Sequence, residues 1–573
     1  MAVLQPIVDI AEICHRHGIR RVVVSPGSRS AALTLAFVRH GGFQVQVVID
    51  ERSAGFIALG MALDSEVPVV MICTSGSAAY NYAPSVSEAF FQQVPLLVFT
   101  ADRPREWIHQ HDGQTIFQSE IFGSHVRKFF ELPADYGHED ACWAINRMVN
   151  DAILSCTGVP FGPVHVNVPI REPFYPLEGE VFAPSNNLRV VNRIPALSTL
   201  SSDSWNTLLE KWDSCGRILI VAGQSKFNAN LNNVLSQISE ELDVVIVADC
   251  ISNVRNDSKF ISYHDLFLPN QNPDDLRPDL LITFGLSVIS KALKQFLQKN
   301  PALHHWHVSE DSHLVDTFQS LTCQIPVSPE YFFENIFEKL DYQLFVQGGE
   351  PETDPSFLTN WVRSNNQAKQ LLYAYLDNLS LLNDLSVIYG AILCLNDHWR
   401  IHVANSMPVR YLNVLGDTLG NRMVASNRGT SGIDGCVSTA IGDALVSDNS
   451  VLLITGDLAF LYDRNGLIIN SLPANLKVLV VNNAGGNIFR MIDGPSKLPE
   501  LEDFFETRHQ FSAKGTAQDS RINYLTATSK HQLEELLPSF LSGNGMSILE
   551  VFTDPEENSR AWKGLKAHVR AKW

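Results

Sequence analysis

At 573 residues the chain exceeds the ~100–200 residues of a single domain, so several domains are expected. Its 45% hydrophobic and 18% charged residues are the balance of a globular protein and exclude a disordered one. A net charge of −19 argues against a broad nucleic-acid-binding face, and it requires any site for an anionic substrate to gather its basic residues locally.

Nine cysteines are scattered without a CxxC pair. Neither a disulfide framework nor a zinc site is suggested, and isolated thiols of a reducing compartment are expected. No apolar run approaches the ~20 residues of a membrane span. The opening MAVLQPIVDIAEICHRHG lacks the basic, apolar and small-residue regions of a secretory signal. The expected location is cytoplasmic, with neither membrane nor nucleic acid as partner.

From the N-terminus, short β-branched runs alternate with glycine-rich turns and helix-like stretches. RVVVS (Arg21–Ser25) leads into PGSRS, and FQVQVVI (Phe43–Ile49) into DERSAGFIALGMAL. PVVMICT (Pro68–Thr74) leads into SGSAAYNYAPSVSEAF, and PLLVFT (Pro95–Thr100) into ADRP. Nearly continuous apolar strands, each followed by a helix, predict an α/β fold with a parallel sheet covered on both faces. Ligands of such sheets bind at the carboxyl ends of the strands, where each of these loops lies. Glu51 stands there at the start of a predicted helix. Acidic residues favour a first helical turn for electrostatic reasons alone, so its position by itself leaves both a structural and a chemical role open.

A polar linker is expected around Pro184–Asp203. RILIVAG (Arg217–Gly223), LDVVIVAD (Leu242–Asp249) and DLLITFG (Asp279–Gly285) then predict a second α/β unit. The stretch QGGEPETDPS (Gln347–Ser356) separates it from a third, built on RIHVANS (Arg400–Ser406), SVLLITGD (Ser450–Asp457), LKVLVVNN (Leu476–Asn483) and MSILEVF (Met546–Phe552). The predicted domains are 1–183, 204–346 and 357–573.

The most informative segment runs from Ile454 to Phe489. One strand ends in Gly456-Asp457 and the next in Asn482-Asn483, with Asp457 and Asn483 26 positions apart, one strand–helix–strand crossover. Successive parallel strands thus bring a carboxylate and a carboxamide to one sheet edge. Such oxygen ligands suit Mg²⁺, which takes one or two carboxylates and completes its shell with water and phosphate oxygens. Ala484-Gly485-Gly486 can add a backbone carbonyl and let phosphates approach the backbone.

This pattern resembles the thiamine-diphosphate signature, GDG followed one crossover later by NN, with Leu458 in place of the third glycine and a short spacer. The resemblance implies thiamine diphosphate as cofactor, contacted by Ser75, Gly76, Gly456, Leu458 and Gly486. It also implies Mg²⁺ or Mn²⁺ on Asp457, Asn483 and Gly485. Glu51 would be the carboxylate beside the aminopyrimidine, favouring the imino form whose nitrogen removes the thiazolium C2 proton. The domains become a pyrimidine-binding, a central Rossmann-like and a diphosphate-binding domain, with active sites shared between subunits of a homodimer or homotetramer.

Seven loops in order, SPGSRS, DERSAGFIALGMA, TSGSA, TADRP, SNRGTSGIDG, GDLAFLYDRNGL and NNAGGNIF, resemble the MenD family of menaquinone and phylloquinone biosynthesis. That family decarboxylates 2-oxoglutarate and adds the succinyl carbanion equivalent to isochorismate. Both substrates are dianions, so cations should converge. By resemblance, Ser28, Arg29, Arg103 and Gln114 contact substrate or intermediate, as do Lys291, Ser406, Arg410 and Arg428. Ile433 would wedge between the cofactor rings, and Ile488, Phe489 and Ile492 would line the pocket. No His stands in the TSGSA loop or beside NN, as suits a carboligase that must not protonate its carbanion early. The alternatives are a carboligase of the acetohydroxyacid synthase or oxalyl-CoA decarboxylase type, and a non-catalytic thiamine-fold protein. The latter predicts loss of Glu51, Asp457 or Asn483, all of which are present.

Overall fold

The computed structural model describes residues 4–172, 175–255, 259–347, 354–492 and 494–573. The first three residues of the opening segment and residues 348–353 of the second predicted linker lie outside the described residues.

The first sheet contains β1 (Arg21–Val24), β2 (Gln44–Val47), β3 (Val69–Cys73), β4 (Leu96–Asp102), β5 (Lys128–Glu131) and β6 (Val164–Pro169), in the order β2-β1-β3-β4-β6-β5. β3, β4 and β6 are buried at every position, as strands covered by helices on both faces must be. The middle sheet takes β7 (Ile218–Ala222), β8 (Val245–Ala248), β9 (Leu280–Phe284), β10 (His304–Val308) and β11 (Cys323–Ile325) in the order β11-β10-β9-β7-β8. The last sheet takes β12 (Trp399–Val403), β13 (Val424–Ala425), β14 (Ser450–Gly456), β15 (Leu476–Asn482), β16 (Asn523–Ala527) and β17 (Ser547–Phe552), ordered β13-β12-β14-β15-β17-β16. The strand pairings within all three sheets are parallel.

The first and last sheets have the same topology, strand for strand, which the sequence did not disclose. In each, the chain leaves its first strand for one neighbour and then returns to the other side. This makes a switch point between β1 and β3 and another between β12 and β14, the places where loops diverge and leave a crevice for ligands.

Six strands, β5, β6, β10, β11, β13 and β16, went unpredicted for physical reasons. β10 and β6 carry buried polar residues where apolar ones are expected: Thr283 Oγ1 lies within hydrogen-bond reach of His305 and His307, and Thr100 Oγ1 of His165 and Asn167. β13 has two residues, β11 three, and β5 and β16 are edge strands.

The helices Glu51–Ala62 and Cys436–Ala444 join the first and last domains. Residues 53–62 of one and all nine of the other are buried, the mark of helices enclosed on all sides. Glycines make the crossing close. A Cβ on Gly60 would lie 2.0 Å from the Thr439 carbonyl oxygen, and one on Gly442 2.0 Å from that of Ile57. Between β6 and the helix Ser202–Asp213 the described chain has neither helix nor strand and exposes Ile194 and Leu197. Among the described residues no helix is long and apolar enough to cross a membrane.

Candidate active site

β14 and β15 are hydrogen-bonded neighbours, with Gly456 in register with Val481, so Asp457 and Asn483 leave the sheet side by side. Asp457 Oδ1 accepts from the Leu458 N–H at 2.7 Å and Oδ2 from the Gly485 N–H at 2.9 Å. Asn483 donates Nδ2–H to Asp384 Oδ2 at 2.9 Å, leaving a buried Oδ1 without a partner. A buried acceptor with no donor is uncommon. Beside a carboxylate, and with a glycine backbone next to it, it is what a divalent cation would satisfy. The Cβ direction of Gly456 meets no atom within 4 Å, whereas a Cβ on Gly485 would press to 2.6 Å from the Glu506 carbonyl oxygen. The strand end therefore opens on free space while the glycine loop beyond it is tightly covered. These residues fit a metal–diphosphate group.

Asp384 and His509 were not foreseen. Asp384 begins the helix Asp384–Leu393 and is buried, which pushes its carboxyl up to about 6 against the hydrogen bonds it accepts from Thr553 and Asn483. His509, far along the chain from Asn483, returns with Nε2 3.2 Å from Asp457 Oδ2 and a side chain 6% exposed. Its Nδ1 accepts from the Phe511 N–H at 3.1 Å, which places the ring hydrogen on Nε2. Nε2 itself is buried without a hydrogen-bond partner, so its approach to Asp457 is a close contact and not a bond. The sequence offered no sign of this, because the segment 501–512 is brought over the glycine loop only by folding. Gly486 N–H donates to the Glu506 carbonyl at 2.7 Å and His509 N–H to that of Ala484 at 3.1 Å.

In the first domain, Asp50 is the helix cap, accepting from the N–H groups of Arg52 (3.0 Å) and Ser53 (3.3 Å). Capping is thereby done without Glu51, which is half-buried and accepts from Asn81 Nδ2 at 3.4 Å. Burial first, and then the Glu51 charge, hold the Cys73 thiol well above its ordinary range. At the end of β3 the hydroxyls of Thr74 and Ser75 are buried without partners. A Cβ on Gly27 would sit 2.2 Å from Thr74 Cβ, so the PGSRS and TSGSA loops touch across the switch point. Gln114, in a left-handed conformation (φ 57°) and exposed, passes over Gly76, whose N–H donates to Gln118 Oε1 at 2.9 Å.

The cations fall into two groups. Arg29 is buried and donates to the Ile170 carbonyl (3.0 Å) and Glu172 (3.2 Å). Burial, and next the nearby Arg103, hold it below its ordinary pKa. Arg103 itself bonds Asp112 at 2.9 Å and the Gly113 carbonyl at 3.0 Å, and Ser28 is exposed on the same loop as Arg29. In the second group, Ser406 has φ 75° at the turn from β12 into the helix Met407–Val414, and its carbonyl accepts from Arg410. Arg428 donates to Asn405 Oδ1 at 3.0 Å, while its Nε is buried without a partner. Burial lowers the pKa of both arginines, and Arg428 adds to the effect on Arg410. Lys291, first residue of the helix Lys291–Lys299, is exposed. Lys294, one turn on, is close enough to feel Arg428 and Arg410; burial, the largest influence, lowers its pKa, Asp249 opposes this, and both arginines push the same way as burial.

Ile433 packs on Ala404, Cys436 and Ala459, between the ends of β12 and β14. Ile488 lies half-buried against the core, Phe489 stands 5.6 Å centroid to centroid from Phe505, and Ile492 is exposed. A cavity of ≈ 390 Å³, lined by Lys226, Gln224 and Arg400 among others, borders all three domains and includes neither Glu51 nor Asp457.

Residues 8–122 match the family model described as thiamine pyrophosphate enzyme, N-terminal TPP binding domain, and residues 195–338 match the middle domain of thiamine pyrophosphate enzymes. The 2-succinyl-5-enolpyruvyl-6-hydroxy-3-cyclohexene-1-carboxylate synthase of Cytophaga hutchinsonii is 42% identical over 99% of both chains. The enzymes of that name from Porphyromonas gingivalis and Flavobacterium johnsoniae are 35% and 34% identical, covering 98% and 96% of this chain and 96% of theirs. Full-length similarity and the paired strand ends point the same way: the chain belongs to the family of 2-succinyl-5-enolpyruvyl-6-hydroxy-3-cyclohexene-1-carboxylate synthases, which are thiamine-diphosphate-dependent enzymes.

Proposed function

We propose that this chain decarboxylates 2-oxoglutarate on thiamine diphosphate and adds the succinyl carbanion equivalent to isochorismate in a 1,4-addition, a step of menaquinone biosynthesis. The observation that carries the reading is Asp457 beside the unpartnered Asn483 Oδ1 at adjacent strand ends, in a chain alike to these synthases along its whole length. When bound, the cofactor supplies a thiazolium that stabilises negative charge on the carbon losing CO₂.

The protein's own part is positioning and charge. Asp457, Asn483 Oδ1 and the Gly485 carbonyl would hold Mg²⁺ or Mn²⁺ against the diphosphate, with Gly456, Leu458 and Gly486 around it. Glu51 would hold a proton at the aminopyrimidine ring, near Ser75 and Gly76. Ile433 would support the bent cofactor. Arg29 and Arg103, with Ser28 and Gln114, form one cationic group for a carboxylate, and Arg410 and Arg428, with Ser406, form the other. Guanidinium is suited to both tasks because it stays charged when buried and binds carboxylates through two N–H groups. Lys291, Ile488, Phe489 and Ile492 would act at the rim of the pocket.

A homo-oligomer with active sites at the subunit interface is part of the proposal. Ile49, Tyr80, Tyr462 and Ile468 are all more than half exposed. They belong to one region: Arg52 lies over the Tyr462 ring, Asn465 bonds Asp50, and Asn81 bonds Glu51. An apolar surface of this kind around a glutamate is what a second copy would cover. The free thiols agree with a cytoplasmic place of work.

The deciding assay follows isochorismate loss by absorbance with thiamine diphosphate, Mg²⁺ and 2-oxoglutarate, omitting each in turn. Loss that needs all components is expected. Decarboxylation with isochorismate untouched would leave a thiamine enzyme with a different acceptor.

A further inference from the structure

The loop Ser426–Gly435 carries Arg428 and Ile433 yet has no helix or strand to fix it. It is fastened from three directions. Within the last domain, Asn405 Nδ2 donates to the carbonyls of Asn427 and Gly432, each at 2.6 Å. From the middle domain, Gln224 Nε2 donates to the Ser426 carbonyl at 3.1 Å and to Gln92 Oε1 at 3.1 Å. From the first domain comes Glu88, on the helix Ala83–Gln92 and 1% exposed. Its Oε1 accepts from the Gly429 N–H at 2.7 Å, and its Oε2 from the Thr430 N–H at 2.7 Å and the Thr430 hydroxyl. The Gln92 side chain, already tied to Gln224, donates to Oε1 as well.

A buried carboxylate is costly unless its oxygens are filled. Here four donors fill them, two being successive backbone N–H groups, an arrangement that binds anions wherever it occurs. The approach is close enough to need glycine: a Cβ on Gly429 would lie 2.8 Å from the Glu88 carbonyl oxygen and 3.0 Å from Oε1. The residue just before this anchor is Arg428.

We propose that Glu88 is an interdomain positioning residue: by seating Gly429 and Thr430 it sets the place of the Arg428 guanidinium, so that affinity for an anionic substrate depends on a carboxylate of the first domain. The inference rests on the assignment of Arg428 to substrate. The charge and both oxygens of Glu88 matter, not its bulk. Glutamine has one acceptor oxygen and would turn its NH₂ toward one of the two backbone N–H groups.

Steady-state kinetics of Glu88→Gln, Arg428→Ala and the double variant, varying 2-oxoglutarate and isochorismate separately, test this. Glu88→Gln is expected to raise the KM of one substrate about tenfold, the weight of one charge-assisted hydrogen bond, with kcat changed less than about twofold. Arg428→Ala should raise the KM of the same substrate, and the double variant should be no worse than Arg428→Ala alone. A merely structural Glu88 would instead lower the folded fraction and kcat, and its effect would add to that of Arg428→Ala; additivity overturns the inference. An Arg428-sensitive KM that Glu88→Gln leaves unmoved defeats the inference alone. A KM insensitive to Arg428→Ala removes the substrate assignment and the inference with it. Should Glu88→Gln fold poorly, Thr430→Val deletes only the hydroxyl bond. It should raise the same KM by a smaller factor, and an unmoved KM counts against the proposal.

Discussion

A carboxamide has a donor end and an acceptor end, and Asn483 gives them different tasks. Its NH₂ is held by Asp384, which fixes the amide plane and leaves Oδ1 bare beside Asp457. Glu51 is likewise spared the capping of its helix, which its neighbour Asp50 does. The two acidic groups should therefore fail differently. Glu51→Gln is expected to bind thiamine diphosphate nearly as the wild type does, by tryptophan fluorescence titration, while turnover falls roughly 10²–10⁴-fold, the usual weight of a general acid–base group. Near-normal turnover would sink its role. Asp457→Ala should instead lose Mg²⁺-dependent cofactor binding in the same titration, and an unchanged dissociation constant would dismiss it as a ligand. The acidic residue types were legible in the sequence. What Asp384 and His509 do was not, since neither lies near the motif in the chain.

Pairs of elements carry the next level. The helices Glu51–Ala62 and Cys436–Ala444 cross on Gly60 and Gly442, where an added methyl meets backbone rather than a flexible side chain. Gly442→Ala should cost at least the ~1–3 kcal/mol of overpacking and lower the thermal midpoint by several degrees. An unshifted midpoint would mean that the crossing is looser than described. The same junction encloses Asp463, wholly buried and bonded to Ser438, whose carboxyl is pushed up to about 7, chiefly by burial. The folded chain thus keeps a proton that the unfolded chain releases near 3.8. This stabilisation is complete below the unfolded pKa and is lost as pH rises through the folded one. From about pH 4 to about pH 7 the wild type should lose thermal stability, and Asp463→Asn should lose less. Asp102 and Asp384, raised to about 6 by burial, should retain part of the slope. Equal slopes for wild type and Asp463→Asn would contradict the assignment.

At the scale of the molecule, two sheets of the same strand order are joined through those helices, and each has its own switch point. The shared-site proposal has a test that no single-chain arrangement passes. Glu51→Gln and Asp457→Ala, each nearly inactive alone, should regain activity on mixing and subunit exchange, up to about a quarter of wild type if the exchange is random. No recovery despite demonstrated exchange would place each complete site within one chain.

The sequence by itself determined the α/β class, the three parallel sheets and the loops at the strand ends, because continuous apolar runs and glycine-rich turns are local consequences of a doubly covered sheet. It also marked Glu51, Asp457 and Asn483, whose residue types and strand-end positions are local too. Only the tertiary structure decided which groups meet. It brought His509 to Asp457 and Asp384 to Asn483, and put Lys294 near Arg410 and Arg428. It also drew Glu88 across a domain boundary onto the Arg428 loop. Those contacts join residues remote in the chain, and each depends on domain packing and on the need of buried polar atoms for partners, neither of which a linear pattern of residue types specifies.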